Sequence, residues 1–295
     1  MAQLTLQQRC NESRIDTCWS DLRHPGCTTL AGPGDCGYRA LTMNTVSAPS
    51  SPPDGAGDLA ALAEFGEYFA LPVATADGQW RPLPELFDEP MLSEHVRRTR
   101  AAMAGHAGCA LTRVPIRVAA SSFQLGVAAR LLSPVIAAAL CFDAVPRLDN
   151  ASLRWQLSAN HAPRFAVVPP QWSIAPTPPA AARLIADSVV GVLTDLGAHL
   201  HTLTSLSAQI TRGNITSAAN GAVTVLALSR PQCDAAGRML VRALLDTEAL
   251  TGTGAFVDGR FRRRSCCLYY RAPRSGLCGD CVLTAAPASA PGDES

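Results

Sequence analysis

From residue 60 onward, apolar positions recur at three- and four-residue intervals along most of the chain, a pattern that predicts a mainly helical protein. Pro90 opens the first clear segment, where Met91, Leu92, Val96, Ala102 and Met103 share a face and Gly105 offers a stop. Ile116 to Phe142 is apolar nearly all round, which predicts a central core helix, or two helices joined at Pro134. Thr177 and Pro178 supply a cap and a first-turn proline for a long helix whose inward stripe runs Ile185, Val189, Val192, Leu196, Leu200 and Leu203. Asn214 is read as the cap of the next helix, with Ile215, Ala218, Ala219, Ala222, Val223 and Leu226 inward. Residues 232–250 give one more, ending at Gly252.

The period falls to two only in the middle of the chain. Leu153, Trp155 and Leu157 alternate with polar partners, Asn160 to Pro163 signals a turn, and Phe165 to Val168 returns, so an antiparallel hairpin is expected. The expected class is α+β: a predominantly helical domain over residues 59–283, with a small antiparallel sheet and a C-terminal four-cysteine loop within residues 260–283. Residues 1–58 lack any sustained period and end in a Ser-, Pro- and Gly-rich run, which predicts a flexible leader and linker. Residues 284–295 read as a disordered tail.

Charge narrows the function. The 25 basic and 24 acidic residues leave a formal net charge of +1, which excludes a strong global pull toward nucleic acid or an anionic membrane. Every basic residue is Arg, so lysine Schiff-base chemistry and the P-loop lysine are excluded. The first thirty residues are interrupted by charges and hold no signal-peptide core. Arg130 and Pro134 break the longest apolar stretch, and a charge at mid-bilayer costs ~2.5–3.5 kcal/mol. No membrane span and a cytoplasmic location are expected. In a reducing compartment, eleven cysteines point to metal or redox chemistry rather than to disulfides.

Four of those cysteines, Cys266, Cys267, Cys278 and Cys281, lie close together near the C-terminus. Cys278-Gly-Asp-Cys281 has the two-residue gap that turns both thiolates toward one centre. The adjacent Cys266 and Cys267 reach one site only through a local turn, a constraint a two-iron cluster tolerates better than one tetrahedral zinc. Six arginines (Arg260, Arg262, Arg263, Arg264, Arg271, Arg274) surround the thiols, and no acid lies between Gly259 and Gly279. Positive charge there favours thiolates and a reduced, more negative cluster. The alternatives are a structural zinc site or a pair of dithiol switches.

Other signals are weaker. Gly32 to Gly37 fits a dinucleotide fingerprint in spacing, but no strand precedes it. Cys10, Cys18, Cys27 and Cys36 are too widely spaced for a zinc knuckle. Cys109, Cys141 and Cys233 read as small core residues, and His199 and His201 as satisfied histidines rather than a metal pair.

At the cysteine motif the chain resembles the FhuF-type ferric-siderophore reductase family, whose signature is Cys-Cys, ten residues, Cys, two residues, Cys. Cys266, Cys267, Cys278 and Cys281 match it without a gap change. The resemblance includes Phe261 to Tyr270 and Leu277 to Leu283, and extends more loosely to Ala119–Gly126 and Gly213-Asn214. Arg212 departs from it, standing where an aromatic residue is expected. The resemblance implies that the four cysteines ligate a [2Fe-2S] cluster, and that the protein reduces siderophore-bound ferric iron in the cytoplasm with electrons from a ferredoxin- or flavin-type donor. Arg262, Arg263, Arg264 and Arg271 would steer the substrate. A siderophore-binding or iron-delivery module with a structural cluster, and a zinc-stabilised interaction protein, are the competing expectations.

Overall fold

A computed structural model describes residues 59, 61–76, 78–158 and 163–283. The expected leader, the tail and the turn at 159–162 lie outside the described residues, as do the fingerprint at Gly32 to Gly37 and the four cysteines before residue 40.

The six helices described here are α1 (Glu89–Ala107), α2 (Ile116–Phe142), α3 (Pro178–Ile185), α4 (Gly191–Thr204), α5 (Ala208–Ser229) and α6 (Cys233–Leu245). The strands are β1 (Arg81–Pro82), β2 (Ala144–Pro146), β3 (Leu153–Leu157), β4 (Pro163–Val167), β5 (Trp172–Ile174), β6 (Gly254–Val257) and β7 (Arg260–Arg263). They pair as three small antiparallel ladders, β1-β3-β4, β2-β5 and β6-β7. The α+β class follows, mostly helical with small antiparallel sheets.

Helix α2 is the hub, packing against α1, α4, α5, α6 and β2. It is one continuous helix through Pro134, because Leu131 to Ala138 are enclosed and neighbouring elements hold the backbone where the proline has no N–H to give. The Ser133 hydroxyl donates to the Ala129 carbonyl at 2.7 Å on the same stretch. Length and composition would let α2 cross a membrane, but 67% of its most apolar window is buried inside the protein. Its closest partner is α5. Small residues on both helices, among them Ala119, Ala120, Gly213 and Ala218, let the two backbones approach.

Local chemistry sets the helix ends, sometimes elsewhere than expected. Helix α1 runs through Gly105 and stops at Gly108, which takes a left-handed conformation (φ 61°) while the Cys109 N–H reaches back to the Ala104 carbonyl at 3.0 Å. Ala102 faces solvent, not the core. Thr177 caps α3 as expected, its hydroxyl accepting from the Ala180 N–H at 3.4 Å. The long helix then passes through a π-helical segment at Ala186–Val190 before α4 begins. The extra residue of that turn keeps Ile185, Val189, Leu196 and Leu200 inward, while Leu203 is only half-buried. Helix α5 starts one and a half turns before Asn214, with the Ser207 hydroxyl accepting from the Gln209 N–H at 3.2 Å. Asn214 is therefore not a cap. It lies inside the helix and is fully buried, while the stripe from Ile215 to Leu226 faces inward as expected. Helix α6 ends at Leu245, and turns carry the chain to Gly252.

The expected hairpin forms between β3 and β4, and β1 adds a third strand to it. Trp155 anchors that sheet: it is fully buried, its indole N–H donates to the Pro82 carbonyl at 3.1 Å, and Arg81 lies over the ring.

Candidate metal centre

The cysteine loop leaves the sheet at the end of β7. Alternation along that strand buries Phe261 and Arg263 and exposes Arg260 and Arg262. Cys266 is half-buried and Cys267 buried. The local turn needed by the adjacent pair is present: Leu268 takes a left-handed conformation (φ 69°), and its N–H donates to Cys266 Sγ at 3.3 Å. A short turn at Tyr269–Arg271 follows, tied by the Ser275 hydroxyl, which lies 2.6 Å from both the Tyr269 and the Ala272 carbonyls. Tyr269 packs against the core.

The second pair closes by a turn in which the Cys281 N–H bonds the Cys278 carbonyl at 3.1 Å, and the Leu283 N–H reaches Cys281 Sγ at 3.4 Å. Two bonds return this turn to β7. The Arg263 N–H donates to the Asp280 carbonyl at 3.0 Å, and Arg262 Nη1 to the Cys281 carbonyl at 3.4 Å.

The two halves meet at the thiols. Cys278 and Cys267 share a side-chain hydrogen bond, which, with the charge of Arg263 and against burial, holds the Cys267 thiol down at about 6. The same contact pushes the Cys278 thiol up. Burial raises Cys266, against the Leu268 N–H. The charge of Cys281 adds to the rise of both Cys266 and Cys278. Among the described residues, no three His, Cys, Asp or Glu side chains converge as ligands of a single ion would. Cys267 and Cys278 are in contact and Cys266 and Cys281 lie within electrostatic range, a four-thiol set that would hold a [2Fe-2S] cluster.

Three further elements hold the loop in place. The Ser121 hydroxyl on α2 donates to the Cys267 carbonyl at 2.8 Å, and Asn214 Nδ2 on α5 donates to both the hydroxyl and the carbonyl of Ser121 at 3.1 Å. The Ser265 hydroxyl donates to the Gln209 carbonyl at 3.0 Å, and Arg263 Nη2 to the Ile210 carbonyl at 3.3 Å. Gly213 leaves the space these side chains fill: a Cβ there would collide with Ser265 Oγ and come within 2.9 Å of Arg263 Nη2. The more loosely matching segments, Ala119–Gly126 and Gly213-Asn214, thus meet at the cysteine loop.

A buried cation lies beside the donor set. Arg263 is 3% exposed, and its Nε has no partner among the described residues. A cation in that position asks for anionic neighbours, which cluster thiolates are. Arg263 is consequently not available to steer a substrate, unlike the exposed Arg262, Arg264 and Arg271. Burial pushes the Asp280 carboxyl up, opposed by Ser217 and by the charges of Arg263 and Arg238. The sequence reading does not find the roles of Ser121 and Asn214; Ser121, a polar residue in the mostly apolar run of α2, carries a signal for its role, while Asn214 sits among polar neighbours and carries none.

Among the described residues, Cys109, Cys141, Cys233, His199 and His201 join no cluster of metal-ligating side chains. Cys233 is buried and Cys109 half-buried, but Cys141 is exposed, not a core residue, and its thiol shares a hydrogen bond with Cys233. His199 and His201 are satisfied by the carbonyls of Asp195 at 2.9 Å and Leu206 at 3.0 Å.

Residues 263–283 match the family described as the FhuF 2Fe-2S C-terminal domain, a similarity that implies a [2Fe-2S] cluster as the cofactor of this segment. No curated protein matches the chain.

Proposed function

We propose that the protein is a cytoplasmic ferric-chelate reductase in which Cys266, Cys267, Cys278 and Cys281 hold the cluster. When bound, a [2Fe-2S] cluster supplies transfer of one electron at a time. The chain's own residues prepare a site for that chemistry. Ser121, Asn214 and Ser265 fix the backbone of the loop that carries the thiols. Cys266 and Cys278 are half-buried, so one edge of the site faces outward.

The observation that carries the reading is the charge of that edge. Arg262, Arg264, Arg271 and Arg274 are exposed on the segment that carries the four cysteines and give it a basic rim, and the chain from Arg260 to Gly279 holds no acid. Such a rim attracts an anionic electron donor of ferredoxin or flavin type, or an anionic chelate, and speeds encounter. Hard oxygen-donor chelators of the siderophore class favour ferric iron, so adding one electron to Fe(III) weakens the complex and releases Fe(II). The electron balance is one from the external donor and one to the chelated iron.

The test mixes dithionite-reduced holoprotein with a ferric trishydroxamate and a ferrous-specific trap. Reoxidation of the protein in step with one trapped Fe(II) per electron supports the reading. Chelate binding without reoxidation would make the protein an iron-delivery module.

A further inference from the structure

We propose that Arg263 is the internal countercharge of the metal centre: a buried cation that holds the cysteine loop and favours its reduced state, and that does not meet substrate. The inference rests on the cluster being held by the four cysteines named above. A guanidinium stays protonated under all ordinary conditions, so its burial is tolerated only against compensating negative charge. Arg263 is 3% exposed, yet among the described residues it forms no ion pair. Its side-chain hydrogen bond goes to a neutral group, the Ile210 carbonyl at 3.3 Å, and its Nε is left over.

Asp280 meets Arg263 through its backbone carbonyl, which accepts the Arg263 N–H at 3.0 Å. The anionic groups within electrostatic range of the guanidinium are the thiols of Cys266, Cys267 and Cys278 and the Asp280 carboxyl, which forms no ion pair with it and which burial pushes toward its neutral form, so the thiolates are left as the main balance. The fold also reserves space for this side chain, since Gly213 in the middle of α5 carries no Cβ to obstruct the Arg263 guanidinium or Ser265. Arg262 and Arg264 on either side are exposed, so their charge is diluted by solvent while that of Arg263 is not. A fixed buried positive charge favours the more negative of two oxidation states. It therefore raises the reduction potential, the added electron coming from the external reductant with no bond made or broken.

Potentiometric titration with dithionite, followed by visible absorption, tests this on wild-type holoprotein and on Arg263→Met, Arg263→Lys and Arg264→Met. Arg263→Met is expected to make reduction at least tenfold less favourable, a fall of about 59 mV for a one-electron couple. Arg263→Lys keeps the charge and should retain iron with a potential close to wild type, and Arg264→Met should move less than half as far as Arg263→Met. If Arg263→Met loses its iron, full occupancy in Arg263→Lys supports the charge as the cause. The proposal is overturned by an unchanged potential in iron-replete Arg263→Met, by Arg263→Lys losing the iron or falling as far as the neutral variant, or by an equal shift in Arg264→Met. No ferric chelate enters the assay, so its failure and failure of the reductase reading are separate results.

Discussion

Gly213→Ala sets two opposed effects against each other. Gly213 lies in the interior of α5, where alanine gains roughly 1 kcal/mol of helix propensity. Taken alone, that would stabilise the protein. The new Cβ would collide with Ser265 Oγ and come within 2.9 Å of Arg263 Nη2, and both side chains are buried. Moving Ser265 costs the hydrogen bond to the Gln209 carbonyl, about 1 kcal/mol, and moving Arg263 costs a charge-assisted bond to Ile210 worth roughly 1.5–3 kcal/mol. The net is a loss of about 2 kcal/mol, or roughly 4–8 °C in Tm for a domain of this size. Thermal unfolding with parallel iron analysis reads the result. A variant with a raised Tm and full iron content would refute the idea that the cysteine loop is packed onto α5 through this glycine.

Three further outcomes follow from individual groups. Ser121→Ala removes the 2.8 Å bond to the Cys267 carbonyl and leaves Asn214 without its hydroxyl partner, and should cost about 1–2 kcal/mol by denaturant titration together with part of the iron. His95 is buried against Phe123 and Trp155; burial, with the charge of Arg98 and against that of Glu94, lowers it to about 4, so the unfolded chain binds the extra proton between pH 4 and about 6.5. Stability should therefore fall by about 3 kcal/mol as pH drops through that window, and His95→Phe should flatten the curve; an unchanged slope in the variant would contradict this. Burial and the contact with Cys233 push the Cys141 thiol up to about 12, so residue 141 should alkylate slowly at pH 8 despite its exposure, and Cys233→Ala should speed it roughly tenfold or more, read by peptide mass mapping.

The helical pattern and the cysteine motif could be read from the chain because each is a local regularity. The stripe Ile215 to Leu226 and the all-apolar run of α2 face the core as their periods require. The turn after Cys267 and the turn closing at Cys281 are likewise where the spacing demands them. What periodicity missed depends on partners far along the chain. Asn214 has the composition of a cap, but Ser121, 93 positions away, accepts its amide inside the fold. Arg263 shares a run with three other arginines, and only the pleat of β7 and the gap at Gly213 make it the buried one. Strands as short as β1, β2 and β5 hold too few residues to show an alternation at all.

Iron, zinc and acid-labile sulfide analysis of anaerobically purified protein, taken with its visible spectrum, tests the metal centre most directly. A coloured protein with two irons and two sulfides per chain, both lost in Cys281→Ser, is the result expected of a [2Fe-2S] site held by the four thiols. A colourless protein carrying one zinc and no sulfide would contradict it.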